Sequence, residues 1–337
     1  MRIIKKILST IFRVVISMAL LAFLFNQVDK KSLLGIIKGV NIPLLLLAFG
    51  VFFLVYVLCL FRWVMLLKAL KIHLPLRRVI ISYSGGVFFS LFLPSTIGGD
   101  LMRSIDLSAH TKRPREVIAT IFLDRLSGYV GLVIVAVFAL SIGWNLVQVK
   151  SALFAVVVIT VILTAILLLL FNKFIYSKVN NLLHVSGERP RSKGMAGNFE
   201  KIRKTLKDLH QELHYFKGHR KVMLYSVIIS ILIQLEGPVV FAITALSLGL
   251  KIKFIYFLIF LPIIGAITLL PISIGGLGLR DATTIYFLGK VGIVKDMAFA
   301  MSLLNFSFIL VYGAIGGLIY VLTVRHRRLQ RPQPLSL

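Results

Sequence analysis

The chain has 337 residues, of which 58% are hydrophobic and only 15% charged, and its mean hydropathy is +0.94. That apolar share exceeds the roughly 45–50% of soluble domains, so the composition excludes an ordinary soluble fold and points to an integral membrane protein. The formal charge of +27 would suggest nucleic acid in a soluble chain, but here Lys and Arg gather in loops beside apolar runs, a pattern of membrane topology and anionic-lipid contact.

The N-terminal stretch MRIIKKILSTIFRVVISMALLAFLFNQ has a basic start and an apolar core, without a small-x-small cleavage pattern after Phe25. It predicts an uncleaved first helix. Apolar segments then follow at 42–67, 79–93, 117–144, 151–171, 222–248, 254–270 and 298–324. A hydrocarbon core of about 30 Å takes about 20 helical residues, and the weak period-2 alternation of a membrane barrel is absent. The prediction is an all-α polytopic bundle.

Two segments are short for a span. Segment 79–93 covers roughly 22 Å and segment 254–270 roughly 25 Å at 1.5 Å per residue. Each ends in a near copy of one motif, LPSTIGGDLMR from Leu93 to Arg103 and LPISIGGLGLR from Leu270 to Arg280. Were all eight segments to cross with the N-terminus inside, the basic loop 172–221 would lie outside, against the positive-inside rule. If both short segments are re-entrant hairpins, the N-terminus, 68–78, 112–115, the loop 172–221 and the tail RHRRLQR all fall on the cytoplasmic side. Short connections such as 29–38 and 144–150 remain outside. The expected architecture is about six full spans plus two re-entrant helical hairpins in inverted-topology repeats, with both termini cytoplasmic. Residues 1–324 form the transmembrane domain and 325–337 a basic tail.

Within the loop, Phe199, Ile202, Leu206, Leu209, Leu213 and Phe216 recur at helical spacing among charges, predicting an amphipathic helix over 196–217. It lies on the inner membrane surface or serves as a solvated connector packed on the bundle. The single cysteine, Cys59, sits in an apolar run and excludes a disulfide and a cysteine metal site. The seven histidines fall in loops or the tail, and no metal, cofactor or hydrolase motif is present.

Eight ionisable groups sit at membrane depth: Arg62, Asp100, Arg103, Asp124, Arg125, Glu236, Arg280 and Asp281. At up to about 2.5–3.5 kcal/mol each, leaving them unpaired would cost on the order of 20 kcal/mol, so they pair, snorkel or face a wet cavity. Salt bridges that only hold the bundle together are one reading, and for Arg62, near the cytoplasmic end of its segment, snorkelling is another. The duplicated motif favours a site. Pro94 and Pro271 remove a backbone donor, Gly98, Gly99, Gly275, Gly276 and Gly278 permit tight turns, and the next helix begins with unpaired N–H groups suited to an anion. Arg103 and Arg280, at equivalent positions, add guanidinium forks for a phosphate, and Thr96 and Ser273 add hydroxyls. Asp124 is expected to hold Arg103 or Arg280, with Arg125 toward the substrate path. Glu236 is read first as an arginine partner, then as a contact for a cationic head group, then as a protonated relay.

FLPSTIGGDLMR, ATIFLDRLSGYVGL and PISIGGLGLRDA together resemble the membrane family named for the transmembrane region of lysylphosphatidylglycerol synthase, whose members are also described as flippase-like. The resemblance runs from the first helix to about Val324 and implies a lipid-translocating domain, in relatives one that moves aminoacylated phosphatidylglycerol outward. With only a short tail after Val324, the expectation is a stand-alone member without the soluble aminoacyltransferase domain. The function expected is a flippase for a phosphate-bearing lipid of the cytoplasmic membrane, with an anionic phospholipid head group as ligand. The alternatives are a membrane-embedded transferase using Asp100 or Asp124 as base, lysyltransferase-like in kind, and a non-transporting partner of a lipid-modifying enzyme. A homo-oligomer is also open.

Overall fold

A computed structural model describes residues 2–92, 97–143, 150–171, 177–178, 218–268, 273 and 276–329. Regular structure among them is helical throughout: α1 (Arg2–Gln27), α2 (Lys30–Lys38), α3 (Ile42–Ala69), α4 (Leu76–Phe92), α5 (Ile97–Thr111), α6 (Pro114–Gly143), α7 (Lys150–Phe171), α8 (Arg220–Ser247), α9 (Phe254–Thr268), α10 (Leu279–Gly289) and α11 (Lys295–Leu329). The amphipathic helix expected over 196–217 lies outside the described residues, as do Pro94, Thr96, Pro271 and Gly275.

Four described helices are long and apolar enough to cross a membrane, namely Ile42–Ala69, Pro114–Ile142, Arg220–Ser247 and Lys295–Thr323. Their exteriors carry large apolar side chains such as Leu46, Phe61, Phe138, Leu224 and Leu318, each more than half exposed, as lipid-facing helices do. The connection at 29–38 is not the plain loop expected. Asp29 accepts the Lys31 N–H at 3.0 Å and starts α2, which buries Leu33 against Leu24 and Phe299.

Both motif-bearing stretches are antiparallel helical hairpins. In the first, Ser90 and Gly86 of α4 meet Gly99 of α5, Ser82 donates to the Arg103 carbonyl at 3.5 Å, and Arg78 reaches Asp106 at 2.8 Å. Contacts therefore run backward along α5 as they run forward along α4. The two helices of the hairpin touch through glycine: a Cβ on Gly99 would lie 2.2 Å from the Gly86 carbonyl oxygen. In the second, Phe260 of α9 stacks on Phe287 of α10 at 5.0 Å, and Thr268 lies against Gly276. Gly276 and Gly278 hold φ of +76°, a conformation that favours glycine, so this turn could not be made with ordinary side chains without strain.

The packing has an internal correspondence. Exchanging α3, α4, α5 and α6 for α8, α9, α10 and α11 turns the α4–α11 contact into α9–α6, the α4–α5 contact into α9–α10, and α5–α6 into α10–α11. The corresponding helices α3 and α8 run antiparallel: the Asn41 N–H donates to the Ser247 carbonyl at 2.9 Å at one end, and Arg62 donates to Ser230 at 2.6 Å further along. The α4–α11 seam is close because Gly313, Gly316 and Gly317 face Leu91, Ser84 and Phe88. Such small-residue seams let helix backbones approach where lipid offers no hydrophobic drive for association. Helix α1 packs on α10, and α7 on α6 and α9.

Candidate functional site

The first hairpin, α3 and α6 enclose a charge cluster in which Arg62, Arg103 and Asp124 are buried and the Arg125 side chain stays 39% exposed. Asp124 of α6, 4% exposed, accepts from Arg62 Nε of α3 at 2.8 Å and lies 3.6 Å from Arg103 Nη2 of α5. Arg103 Nη2 also donates to Asp100 Oδ1 at 2.6 Å, one helical turn back. Arg125 then grips Asp100 with two bonds, Nε to Oδ2 at 2.7 Å and Nη2 to Oδ1 at 2.9 Å. The neighbours Asp124 and Arg125 point about 100° apart on α6, yet both join one network, because the Asp100–Arg103 pair of α5 spans the gap between them. Three guanidiniums against two carboxylates leave one positive charge uncancelled.

Arg103 is the centre of this arrangement. It is 4% exposed, and its guanidinium lies over the rings of Trp63 at 4.8 Å and Tyr83 at 5.0 Å. Its stem crosses Gly86, where a Cβ would stand 2.5 Å from Arg103 Cγ. Trp63 is itself fixed by donating to Thr120 Oγ1 at 3.2 Å. With Nη2 committed to carboxylates, Arg103 Nη1 is buried without a hydrogen-bond partner among the described residues. A cavity of about 100 Å³ opens here, lined among others by Arg62, Tyr83, Gly99, Asp100, Arg103 and Arg125. Gly99 and Asp100 belong to the first turn of α5, whose N-terminal amides add positive potential on the same side.

Arg62 folds inward. Snorkelling to the interface was one expectation, but its side chain is 6% exposed, bonded to Asp124 and, through Nη1, to Ser230 Oγ of α8. It ties α3, α6 and α8 together and lines the cavity. The aromatic Trp63 beside it, and Asp124 as the partner on a following span, were the available signals.

The second motif copy is built differently. Asp281 caps α10 by accepting the Gly278 N–H at 3.0 Å, accepts from Ser302 Oγ at 2.5 Å, and pairs with Arg280 Nη2 at 2.9 Å. Arg280 lies over Phe306 at 4.7 Å. Its acid is thus its own neighbour in sequence, and Asp124 serves Arg103 rather than Arg280. No described residue of the second hairpin lines the cavity around Arg103, so the two arginines do not share it. Ser273 is buried, with no partner for its hydroxyl among the described residues.

Glu236 has no arginine partner among the described residues, contrary to the first expectation for it, and its Oε1 is buried without a hydrogen bond. Leaving a buried polar group unsatisfied costs about 1–3 kcal/mol, so Glu236→Leu is expected to raise the thermal midpoint of the detergent-solubilised protein. A fall in that midpoint on a static light-scattering or fluorescence melt would show that the carboxyl makes a stabilising bond.

Residues 10–317 match the family described as the lysylphosphatidylglycerol synthase TM region. No curated protein and no solved structure matches the chain.

Proposed function

The chain belongs to the lysylphosphatidylglycerol synthase transmembrane-region family, and on that footing we propose that it moves a phosphate-bearing lipid between the leaflets of the cytoplasmic membrane. The observation that carries this is Arg103: a guanidinium buried inside a membrane bundle, with one nitrogen unpartnered among the described residues, in the wall of a cavity and backed by a cluster of net positive charge. Ionisable groups at this depth mark substrate pathways more often than scaffolding.

The internal correspondence supports a rocking mechanism between inverted repeats. Because α3 and α8 run antiparallel, the two motif copies sit on halves of opposite sense, the arrangement used for alternating access. Basic residues support the orientation. Lys68, Lys71, Arg77, Arg78, Lys112, Arg113 and Arg115 gather where α3 ends, where α4 and α6 begin and where α5 ends, which we read as the cytoplasmic side. In this reading the head group enters from that side, binds beneath the α5 N-terminus, and its acyl chains stay in lipid along the apolar exteriors.

A transferase using Asp100 or Asp124 as base is disfavoured. Both oxygens of Asp100 accept from Arg125, and Asp124 gives one oxygen to Arg62 with the other 3.6 Å from Arg103, so both acids are ion-paired with guanidiniums rather than placed as open bases.

Reconstitution in liposomes tests the proposal. Wild-type protein is expected to bring a fluorescent anionic phospholipid to the opposite leaflet faster than protein-free vesicles do, and Arg103→Ala, confirmed monodisperse, is expected to lose at least about tenfold of that rate. Equal rates for the two proteins would remove Arg103 from the pathway.

A further inference from the structure

Building on the transport reading above, we infer that Glu236 is a proton-binding site inside the membrane, which takes up and releases a proton as the two repeats change facing and so couples lipid movement to the proton gradient. Of the eight ionisable groups at membrane depth, the other seven form ion pairs: Arg62 with Asp124, Arg103 and Arg125 with Asp100, and Arg280 with Asp281. Glu236 forms none among the described residues, and its Oε1 is buried without a hydrogen bond. The residue as a whole is half-buried, so the carboxyl is not sealed in the core. It stands near the middle of a span: in α8, Arg220–Ser247, it lies roughly 24 Å from one end and roughly 17 Å from the other at 1.5 Å per residue. A carboxylate at such a depth is costly unless something neutralises it. A proton is the one neutralising partner that needs no second side chain.

The groups around Glu236 are engaged elsewhere. Helix α8 packs on α3, α6, α9 and α11. At membrane depth these bring Arg62, Asp124 and Arg125, all held in the ion pairs above, while α9 has no charged residue and the other charges of α3, α6, α8 and α11 lie near helix ends. Among the neutral titratable groups, Tyr56 shares a hydrogen bond with Ser84 at 2.8 Å, Tyr312 packs edge-on against Tyr56 at 5.3 Å, and Tyr320 against Phe89 at 5.8 Å. Tyr256 stacks on Phe260 at 6.1 Å, Tyr129 packs in the core around Trp63, and Cys59 lines the Arg103 cavity. None of these makes a hydrogen bond to Glu236 among the described residues.

The acid also sits where α8 can bend. Pro238 lies two residues on, inside the helix, and without an N–H it leaves the Gln234 carbonyl short of its helical donor. Gln234 reaches across to α6, donating Nε2 to the Gly128 carbonyl at 3.2 Å, and Ser230, six residues before Glu236, accepts from Arg62. One helix therefore carries the proton site, a bend and a tie to the charge cluster at the Arg103 cavity. Adding or removing charge at Glu236 changes which packing of α8 is favoured, and that shift reaches the cavity through Ser230 and Arg62. Only a proton moves: hydronium gives it to a Glu236 oxygen and leaves as water, and the acid returns it to water once access has switched.

The test uses the full chain reconstituted in liposomes. Infrared spectra across a pH titration are expected to show a protonated-carboxyl C=O band that shifts in heavy water, rises and falls with pH, and is missing from Glu236→Gln. Glu236→Asp, which keeps a carboxyl, is expected to retain the band, and Glu236→Leu to lose it, so the assignment does not hang on the folding of one variant. The second measurement is the ratio of flipping rates of the fluorescent anionic phospholipid under opposite pH gradients, with the membrane potential clamped. That ratio is expected to be at least about fivefold in wild type and Glu236→Asp and to fall to about one in Glu236→Gln. A band that persists in Glu236→Gln, or the absence of any band that titrates, overturns the inference. So does a wild-type ratio near one, or a ratio unchanged in Glu236→Gln. If wild type flips no lipid under any gradient, the transport reading falls, and the infrared band still decides whether Glu236 binds a proton.

Discussion

Asp124→Ala is expected to destabilise the protein by about 3–5 kcal/mol, the cost of removing one partner from a buried ion pair. Asp124 stands between two guanidiniums that are themselves buried, Arg62 at 2.8 Å and Arg103 at 3.6 Å. Without it, the cavity wall holds three arginines against Asp100 alone. Among the described residues Arg62 then keeps the Ser230 hydroxyl alone, and a neutral acceptor does not balance a charge withdrawn from water. Unfolding followed in mixed micelles against a denaturing detergent measures the loss. Asp124→Asn, which keeps an acceptor of the same shape, should lie between the alanine variant and wild type. The double variant Arg62→Leu/Asp124→Leu should recover part of the loss, because replacing both partners by apolar groups removes the uncompensated charge. A stability for Asp124→Ala within about 0.5 kcal/mol of wild type would mean that water or lipid already neutralises this cluster.

Gly99→Ala is expected to open the first hairpin. The new methyl would stand 2.2 Å from the Gly86 carbonyl oxygen, and that neighbour is helix backbone, which cannot rotate away as a side chain would. Either α5 moves off α4 or the α4 helix breaks locally. Overpacking in a well-ordered core costs about 1–3 kcal/mol, and a backbone clash this short belongs at or beyond the top of that range. Function should fall with stability, since Arg103 lies across the same crossing and its stem passes Gly86. Both the thermal midpoint and phosphate binding are therefore expected to drop. Gly128→Ala is the matched control. Its methyl would lie 3.6 Å from Arg62 Nη1, an ordinary contact, and alanine is the better helix former, so its stability should stay within about 0.5 kcal/mol of wild type. If Gly99→Ala were as mild as Gly128→Ala, the close approach of α4 and α5 would not be a feature of the molecule in solution.

The residues that carry the site were largely legible, but their partners were not. Asp100, Arg103, Asp124 and Arg125 stand out because a charge in an apolar run costs several kcal/mol, so few are present and each needs a reason. Arg62 is equally visible, but a position near the end of a span fits both a side chain reaching the interface and one folded inward. Only the approach of α6 and α8 to α3, which brings Asp124 and Ser230 within bonding distance, chooses between the two. The likeness of the two motif copies was misleading in the same way. Identical Gly-Gly and Arg positions suggested one shared phosphate site, whereas Asp281, which follows Arg280 directly, neutralises the second arginine within its own hairpin.

By itself, the sequence determined that this is a helical membrane protein, where its long apolar helices lie, and that two helix breaks recur with the same residues. Those properties are local: hydrophobic run length, Pro and Gly placement and the cost of buried charge act on a few consecutive residues, whatever the rest of the chain does. Tertiary structure alone decided that Arg62 faces inward, that Arg103 rather than Arg280 borders the cavity, that Glu236 has no arginine partner among the described residues, and that both carboxylates beside Arg103 are ion-paired. Each of these depends on which face of one helix meets which face of another, and ion pairs form over a few ångströms between residues far apart in the chain. Spacing along the sequence does not record that distance.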